Sequence, residues 1–569
     1  MVSRAYSLRA MTRIFLGFGL GCAAAAGPVW SQAADSGMRV ASAVPSHADG
    51  VAVTPAPVAE PVTPVAPTTP MTMALARAEA GDPVLARFYQ QRGYQPLWTG
   101  AEDAARREAF LTTLLNADDQ GLPAPRYGRD RLIAAIRDAR TVADLGALDV
   151  AMSKSFLQYA RDVQTGVLEP SKVDKNLVMK VPLRDPLTVI DGFASSDPVS
   201  FLRQLPPQNP EYQVLLKAKR QLEHLVAAGG WGPQVRATSM KPGASGPDVV
   251  ALRNRLIRMG YLSQTADADY DSLMVAAIKQ FQADYGLVED GEAGAATLAE
   301  VNVDVVQRLK SVIVALERER WINMDLGKRY VWVNLADYSA EVIDDGDVTF
   351  KTRAVVGKAG ADTSSPEFSD NIEYMVVNPS WYVPRSIVVK EYLPAMQRNP
   401  NADPQLQLID ASGRVVDRSI VDFAQYTGHT FPYALKQRPS DGNALGLVKF
   451  MFPNRYNIYL HDTPLKSLFE RQTRDFSHGC IRLQKPFDMA YTLLAPQSSD
   501  PKATFQTVLQ SGKEDTIMLD QKVPVHLVYF TAFVSRTGTL EYRRDVYGRD
   551  AEIFDALSKA GVVLCGVQG

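Results

Sequence analysis

Seventeen positions separate His461 from His478, which lies in the run Phe476-Ser477-His478-Gly479-Cys480-Ile481-Arg482-Leu483. The chain holds only six histidines and three cysteines, so two imidazoles near one thiol in sequence call for a chemical explanation. Cys/His nucleophilic catalysis needs a thiol that can become thiolate, an imidazole to take its proton, and backbone N–H groups for an oxyanion. Gly479, just before Cys480, allows the tight turn that would aim such donors. The pattern predicts acyl transfer through a thioester.

His461 ends the apolar stretch Asn457-Ile458-Tyr459-Leu460, where its ring can sit at the rim of a sheet, and it is the expected general base. An imidazole and a thiol with ordinary pKa values of ~6.5 and ~8.5 can form an ion pair when partly shielded from water. His478 is assigned to holding the loop. The N–H groups of Gly479 and Cys480 are the expected oxyanion donors. Arg482 either anchors a substrate carboxylate or forms a structural ion pair. Asp462 opens an Asp-Thr-Pro sequence and reads first as a turn residue, and Trp381 is either a pocket wall or core packing. A zinc site built from His461, His478 and Cys480 is the chemical competitor. It lacks a Cys-x-x-Cys pair or a His-Glu-x-x-His helix, so no metal and no cofactor is expected. The one Ser-x-x-Lys match, Ser499 to Lys502, contains Pro501 and has no Lys-Thr-Gly companion, which argues against a serine acyl-enzyme.

These groups need a multidomain frame. The chain has 569 residues, 46% hydrophobic and 22% charged, with net charge −2. That is more than one core supports and offers no basic run for nucleic acid. Arg4, Arg9 and Arg13 precede the apolar Ile14–Ala26 and the small residues around Ser31-Gln32-Ala33. Residues 1–34 therefore read as a Sec-type export signal, the alternative being a retained membrane anchor. A lipid attachment at Cys22 is disfavoured by Gly19. The mature chain is expected in the periplasm or cell envelope, peripheral to the membrane, with Cys480 and Cys565 as free thiols.

Residues 35–73 are a Pro- and Ala-rich disordered linker. Residues 74–230 carry helical periodicity and are completed by 303–326, where Val306, Leu309, Ile313, Leu316 and Trp321 form one stripe with Arg308, Lys310, Arg318 and Glu319 elsewhere. Residues 231–302 form a three-helix unit. From 327 to 536 the period shifts to two, predicting a mainly β, sandwich-like domain with Asp345-Gly346 as a hairpin turn. Tyr330–Leu335, Arg455–Leu460 and Val523–Phe533 are among its strands. Residues 385–446 are too long for a plain loop and are expected to be an inserted lid. Residues 537–569 are left as a C-terminal tail. The fold class is multidomain α+β.

Two resemblances add to this. Gly260-Tyr261, Phe281-Gln282 and Asp290-Gly291-x-x-Gly294-x-x-Thr297 resemble the peptidoglycan-binding type 1 domain, which implies possible glycan contact by 231–302. His461 with Ser477-His478-Gly479-Cys480-Ile481-Arg482 resembles the active-site signature of the YkuD-type L,D-transpeptidases. Asn378-Pro379-Ser380-Trp381 and the module order resemble their large YcbB-like branch. The resemblance implies that Cys480 is the nucleophile, that His461 is the base, and that the backbone carbonyl of Asp462 orients the His461 ring. It implies a donor tetrapeptide stem, release of D-Ala, a diamino-acid amine of a second stem as acceptor, a 3→3 cross-link, and acylation by carbapenems. Gln484 departs from the family pattern, which has Asn there. An L,D-carboxypeptidase, a protein-anchoring transpeptidase and a non-catalytic wall-binding scaffold are the alternatives.

Overall fold

The computed structural model describes residues 69–360 and 362–564. The expected export signal, most of the linker, Cys22 and Cys565 lie outside the described residues.

The N-terminal helices start where short polar side chains can satisfy free backbone N–H groups. Asp82 Oδ1 accepts from Val84 N and Leu85 N ahead of Pro83–Gln91, and Thr141 with Asp144 forms a capping box ahead of Val142–Thr165. Buried Asp149 on that second helix accepts from Leu97 N, Trp98 N, Thr99 N and the Tyr89 hydroxyl. Its charge is thereby fully solvated by protein donors.

The helix Val305–Trp321 is the axis of the helical core. It packs against Pro210–Ala227 and Val142–Thr165. Its apolar stripe is buried as expected, but the other face is not solvent-exposed. Arg308, Glu317, Arg318, Glu319 and Arg320 are all buried: Arg308 meets Glu300 of the three-helix unit, Arg318 meets Glu367, and Glu317, Glu319 and Arg320 bond Leu168 N, Asn209 and Tyr212 of the N-terminal helical region. The C-terminal stretch itself is no loose tail. Ala532–Val534 and Leu540–Tyr542 form a hairpin, and Arg549–Lys559 is a helix whose Ile553 and Leu557 are fully buried in the helical core.

The three helices of the binding module are Pro247–Met259, Ser272–Asp284 and Ala295–Val301. Gln282 is buried and donates to Asp290 Oδ1 at 2.7 Å and to Thr297 Oγ1 at 3.2 Å, while accepting from Gly291 N at 2.9 Å. The Phe-Gln and Asp-Gly motifs thus meet as a polar staple inside the fold. Tyr285 stacks on Tyr542 of the C-terminal hairpin at 5.3 Å, with the Arg308 guanidinium 4.7 Å from the Tyr285 ring centre.

The domain that begins at residue 327 is mainly β, as expected. Its nine strands run, in order of pairing, Asp475–Ser477, Asp347–Gly357, Ile481–Leu483, Leu460–His461, Val448–Met451, Phe368–Val377, Asp515–Val528, Arg329–Asn334 and Ser339–Asp344. Ser339–Asp344 pairs back onto Asp347–Gly357 through a hairpin whose Asp345 and Gly346 both have positive φ, as an I′-type turn requires. The sheet therefore closes on itself around Val331, Val333, Met375, Phe450, Leu460 and Ile481 rather than stopping at two separate edges. Arg455–Leu460 is not a strand. Asn454 bonds backbone groups of Phe452, Tyr456 and Ile458, folding the stretch into a loop and leaving only Leu460–His461 extended. The expected Val523–Phe533 strand likewise begins earlier and stops at Val528.

Between the strands Phe368–Val377 and Val448–Met451 lies a smaller antiparallel sheet: Trp381–Tyr382, Ala434–Gln437, Leu406–Ile409 and Val415–Val416. It has its own apolar cluster around Val388, Leu393, Met396, Phe423 and Leu435. A helical run from Arg385 to Arg398 crosses it, with a π-helical turn at Val388–Tyr392, a feature frequent at functional sites.

Glu367, fully buried, joins these parts. It pairs with Arg318 of the central helix and with Arg549 of the C-terminal helix, the second contact at 2.9 Å. Breaking one member of a buried charge cluster strands the others. Glu367→Gln is expected to destabilise the chain by about 3 kcal/mol, read as a lower denaturation midpoint in urea. A change below about 1 kcal/mol would show that the cluster behaves like a surface pair.

Candidate active site

His461 ends a strand that pairs in parallel with Ile481–Leu483, the strand that starts directly after Cys480. Leu460 pairs with Ile481 and His461 with Arg482, while on the other side Leu460 pairs with Phe450 and His461 with Lys449 in antiparallel sense. Leu460, Ile481 and Phe450 are fully buried in the domain core. Because side chains alternate along a strand, Lys449, His461 and Arg482 share the opposite face; Cys480, in the bend just before Ile481, lies near enough for its charge to act on both Lys449 and Arg482.

His461 is buried, and its Nδ1 donates to the Asp462 carbonyl at 2.5 Å. A carbonyl can only accept, so the neutral ring carries its proton on Nδ1 and the lone pair on Nε2. Burial, reinforced by the Arg482 guanidinium, pushes the His461 pKa down to about 3. Backbone acceptors at Asp462 and Leu445 oppose this, and Lys449 adds to it. Burial likewise pushes the Cys480 thiol up to about 11, against hydrogen bonding from the backbone and hydroxyl of Tyr459 and the charges of Arg482 and Lys449. The thiol points to the Asn457 carbonyl at 3.6 Å. At rest both groups are neutral, so the ion pair that the two residue types allowed is not preformed.

The loop that carries the sulfur is built from backbone contacts. Gly479 has φ +118°, and a Cβ there would stand 3.1 Å from Ile458 Cδ1. Ser477 Oγ donates to the Cys480 carbonyl at 2.5 Å and accepts from Gly479 N at 3.1 Å. The Gly479 N–H is therefore occupied, which corrects the expectation that it awaits an oxyanion. Ser365 Oγ donates to the Gly479 carbonyl at 2.6 Å, and the Ser365 carbonyl accepts from Arg549 Nη2 at 2.8 Å. A hydrogen-bonded path thus runs from the C-terminal helix to the loop that carries Cys480.

In an extended run His478 and Cys480 would share a face; the turn at Gly479 separates them. His478 is exposed, and its Nε2 meets Glu391 Oε1 of the π-helical turn at 2.5 Å. Lys390 of the same turn pairs with Asp362 at 3.1 Å. Trp381 is partly buried at the base of the small sheet, with its ring 6.2 Å from that of Tyr392. Among the described residues no three His, Cys, Asp or Glu side chains converge as metal ligands. Asp462 is a turn residue: its carboxylate accepts from Leu447 N at 2.9 Å, Thr463 N at 2.7 Å and Lys466 Nζ at 2.5 Å. Gly446, at φ +61°, makes room for it, since a Cβ there would stand 2.3 Å from the carboxylate. Gln484 lines a cavity of about 460 Å³ with Asp462, Lys466 and Phe487. Ser365, Glu391, Lys449 and Tyr459 escaped the sequence reading. Tyr459 alone carried a local signal, as the residue two before His461.

Residues 328–516 match the model of the L,D-transpeptidase catalytic domain. Over those residues the chain is similar to the YkuD-type L,D-transpeptidase catalytic domain. Residues 245–300 match the peptidoglycan-binding type 1 domain and residues 83–218 a scaffold domain. A Haemophilus influenzae protein named "Putative L,D-transpeptidase" is 33% identical over 225 residues, which are 39% of this chain. The match spans 45% of that relative, less than half its length. Among solved structures, an L,D-transpeptidase from Stackebrandtia nassauensis is 16% identical, covering 54% of this chain and 100% of its own with a TM-score of 0.20. One from Xylanimonas cellulosilytica is 16% identical over 52% of this chain and 98% of its own, with a TM-score of 0.15. At those TM-scores the superpositions carry no further argument.

Proposed function

We propose that this chain is a peptidoglycan L,D-transpeptidase that forms 3→3 cross-links through a thioester on Cys480. The observation that carries this reading is the His461 ring, held by the Asp462 carbonyl with its lone pair on Nε2, on the strand that pairs with the one starting directly after Cys480. The Cys480 S–H proton passes to His461 Nε2 as sulfur adds to the carbonyl of the third stem residue. Collapse of the tetrahedral adduct breaks the peptide bond, and the same proton leaves on the amine of D-Ala. The side-chain amine of a second stem then attacks the thioester, loses a proton to His461, and the proton returns to sulfur. The energy of the cleaved bond is kept in the acyl-enzyme, so no nucleotide is consumed. With Gly479 N–H occupied, the Cys480 N–H is the loop donor proposed for the oxyanion.

His461 stays neutral until the proton moves, which makes it a general base rather than half of a standing ion pair. His478 and Ser477 act by holding the loop, and Trp381 acts through the small inserted sheet that reaches the loop at Glu391. The binding module's motif residues are consumed in its own fold, so any glycan contact by 231–302 is made by its surface. No helix among the described residues is long and apolar enough to cross a membrane, and a wall substrate places the work outside the cytoplasm.

Incubating the protein with disaccharide-tetrapeptide and separating the products tests this. Dimers lacking one D-Ala are expected. Tripeptide monomers alone would make water the acceptor and the protein a carboxypeptidase; unchanged substrate would leave a wall-binding scaffold.

A further inference from the structure

Three neighbouring strands place Lys449, His461 and Arg482 side by side in register, and Cys480, in the bend just before the Arg482 strand, is close enough for its charge to act on both cations. Both flanking residues are cationic and half-buried. Among the described residues neither has an ion-pair or hydrogen-bond partner, and Arg482 Nε is buried without an acceptor. Lys449 Nζ instead lies 5.8 Å from the centre of the Tyr459 ring. The carboxylate that acts most to hold its proton on is Glu514, exposed just before Asp515–Val528 and outside ion-pair reach, with Cys480 adding to it. Burial lowers the pKa of both cations, as expected of charges taken from water without a counter-ion. With His461 neutral between them, the row carries two positive charges and no negative one.

Buried cations without partners are costly, and a site that maintains two of them beside a nucleophile is arranged for an anion. We infer that Lys449 and Arg482 together bind the C-terminal carboxylate of the donor peptide, on the amino acid that is expelled. This rests on the transpeptidase reading and adds to it a second cation that no motif contains. The spacing suits the chemistry. Cys480 and Arg482 are two residues apart in the chain, so at most ~7 Å at ~3.3–3.6 Å per residue. The terminal residue's Cα lies ~3.8 Å beyond that of the residue whose carbonyl is attacked. A carboxylate seated on Arg482 and Lys449 leaves the scissile carbonyl over the sulfur. A chain extended or capped at that carboxylate would lose this seat.

The test separates binding from turnover. In the full chain carrying Cys480→Ala, calorimetric titration compares a stem tetrapeptide ending in free D-Ala with the same peptide amidated at its C-terminus. The amide is expected to bind about 10- to 100-fold more weakly, the range for losing a hydrogen bond to a charged group. Adding Lys449→Met should weaken the acid by a similar factor and leave the amide unchanged; Lys449→Arg should restore the preference, which guards against a misfolded variant. Equal binding of acid and amide, no binding of the acid, or equal loss of both in Lys449→Met would overturn the inference. Turnover of the tetrapeptide by the unaltered chain reads the transpeptidase proposal separately. Turnover without carboxylate-dependent binding sinks only the seat, and carboxylate-dependent binding without turnover sinks only the reaction.

Discussion

Cys480→Ala is expected to abolish cross-linking, lowering turnover by at least about 10³-fold, the scale on which removing a nucleophile acts, while leaving the fold intact. The loop's conformation does not depend on the sulfur. It is set by Gly479 at φ +118°, by Ser477 Oγ on the Cys480 carbonyl and the Gly479 N–H, and by Ser365 Oγ on the Gly479 carbonyl. The sulfur's own hydrogen bond, to Asn457 O at 3.6 Å, is long and weak. Product analysis by mass spectrometry and a thermal melt of the same sample check both halves. The unaltered chain should also gain one carbapenem adduct by intact mass, absent in Cys480→Ala. Residual cross-linking by the variant would mean that another group carries the acyl chain. A large drop in melting temperature would mean that activity was lost through the fold.

Alkylation of Cys480 by iodoacetamide is expected to accelerate about tenfold per pH unit from pH 7 to pH 10, about 10³-fold in all. The sign follows from the site. Burial raises the thiol to about 11, above its usual value of ~8.5. The thiolate is therefore scarce at neutral pH and grows with each unit up to the folded pKa. The same burial, with Arg482 beside it, lowers His461 to about 3, so no imidazolium is present at pH 7 to stabilise the thiolate. Peptide mapping against Cys480→Ala assigns the rate to this thiol rather than to Cys565. A rate already level between pH 6 and pH 8 would reveal a standing thiolate–imidazolium pair and remove the argument that His461 works as a neutral base.

This outcome shows where residue types stop being informative. The sequence places a thiol and an imidazole near one another in chain order, and their ordinary pKa values permit either a neutral pair or an ion pair. Burial chooses, and burial depends on residues remote in sequence. The buried charges of Val305–Trp321 follow the same logic. Its apolar stripe is periodic and legible, whereas the burial of Arg318 depends on Glu367, forty-nine positions away.

What the sequence determined by itself is local. The Asp and Thr caps, the Asp345-Gly346 turn, the Gln282 staple and the Gly479 bend each depend on a few contiguous residues and their backbone geometry. The tertiary structure alone decided the closure of the sheet, the packing of residues 530–562 into the helical core, the reach of Glu391 to His478, and the alignment of Lys449 with His461 and Arg482. These depend on which strands pair. That choice is made by long-range burial and hydrogen bonding, for which no short stretch of chain holds the information.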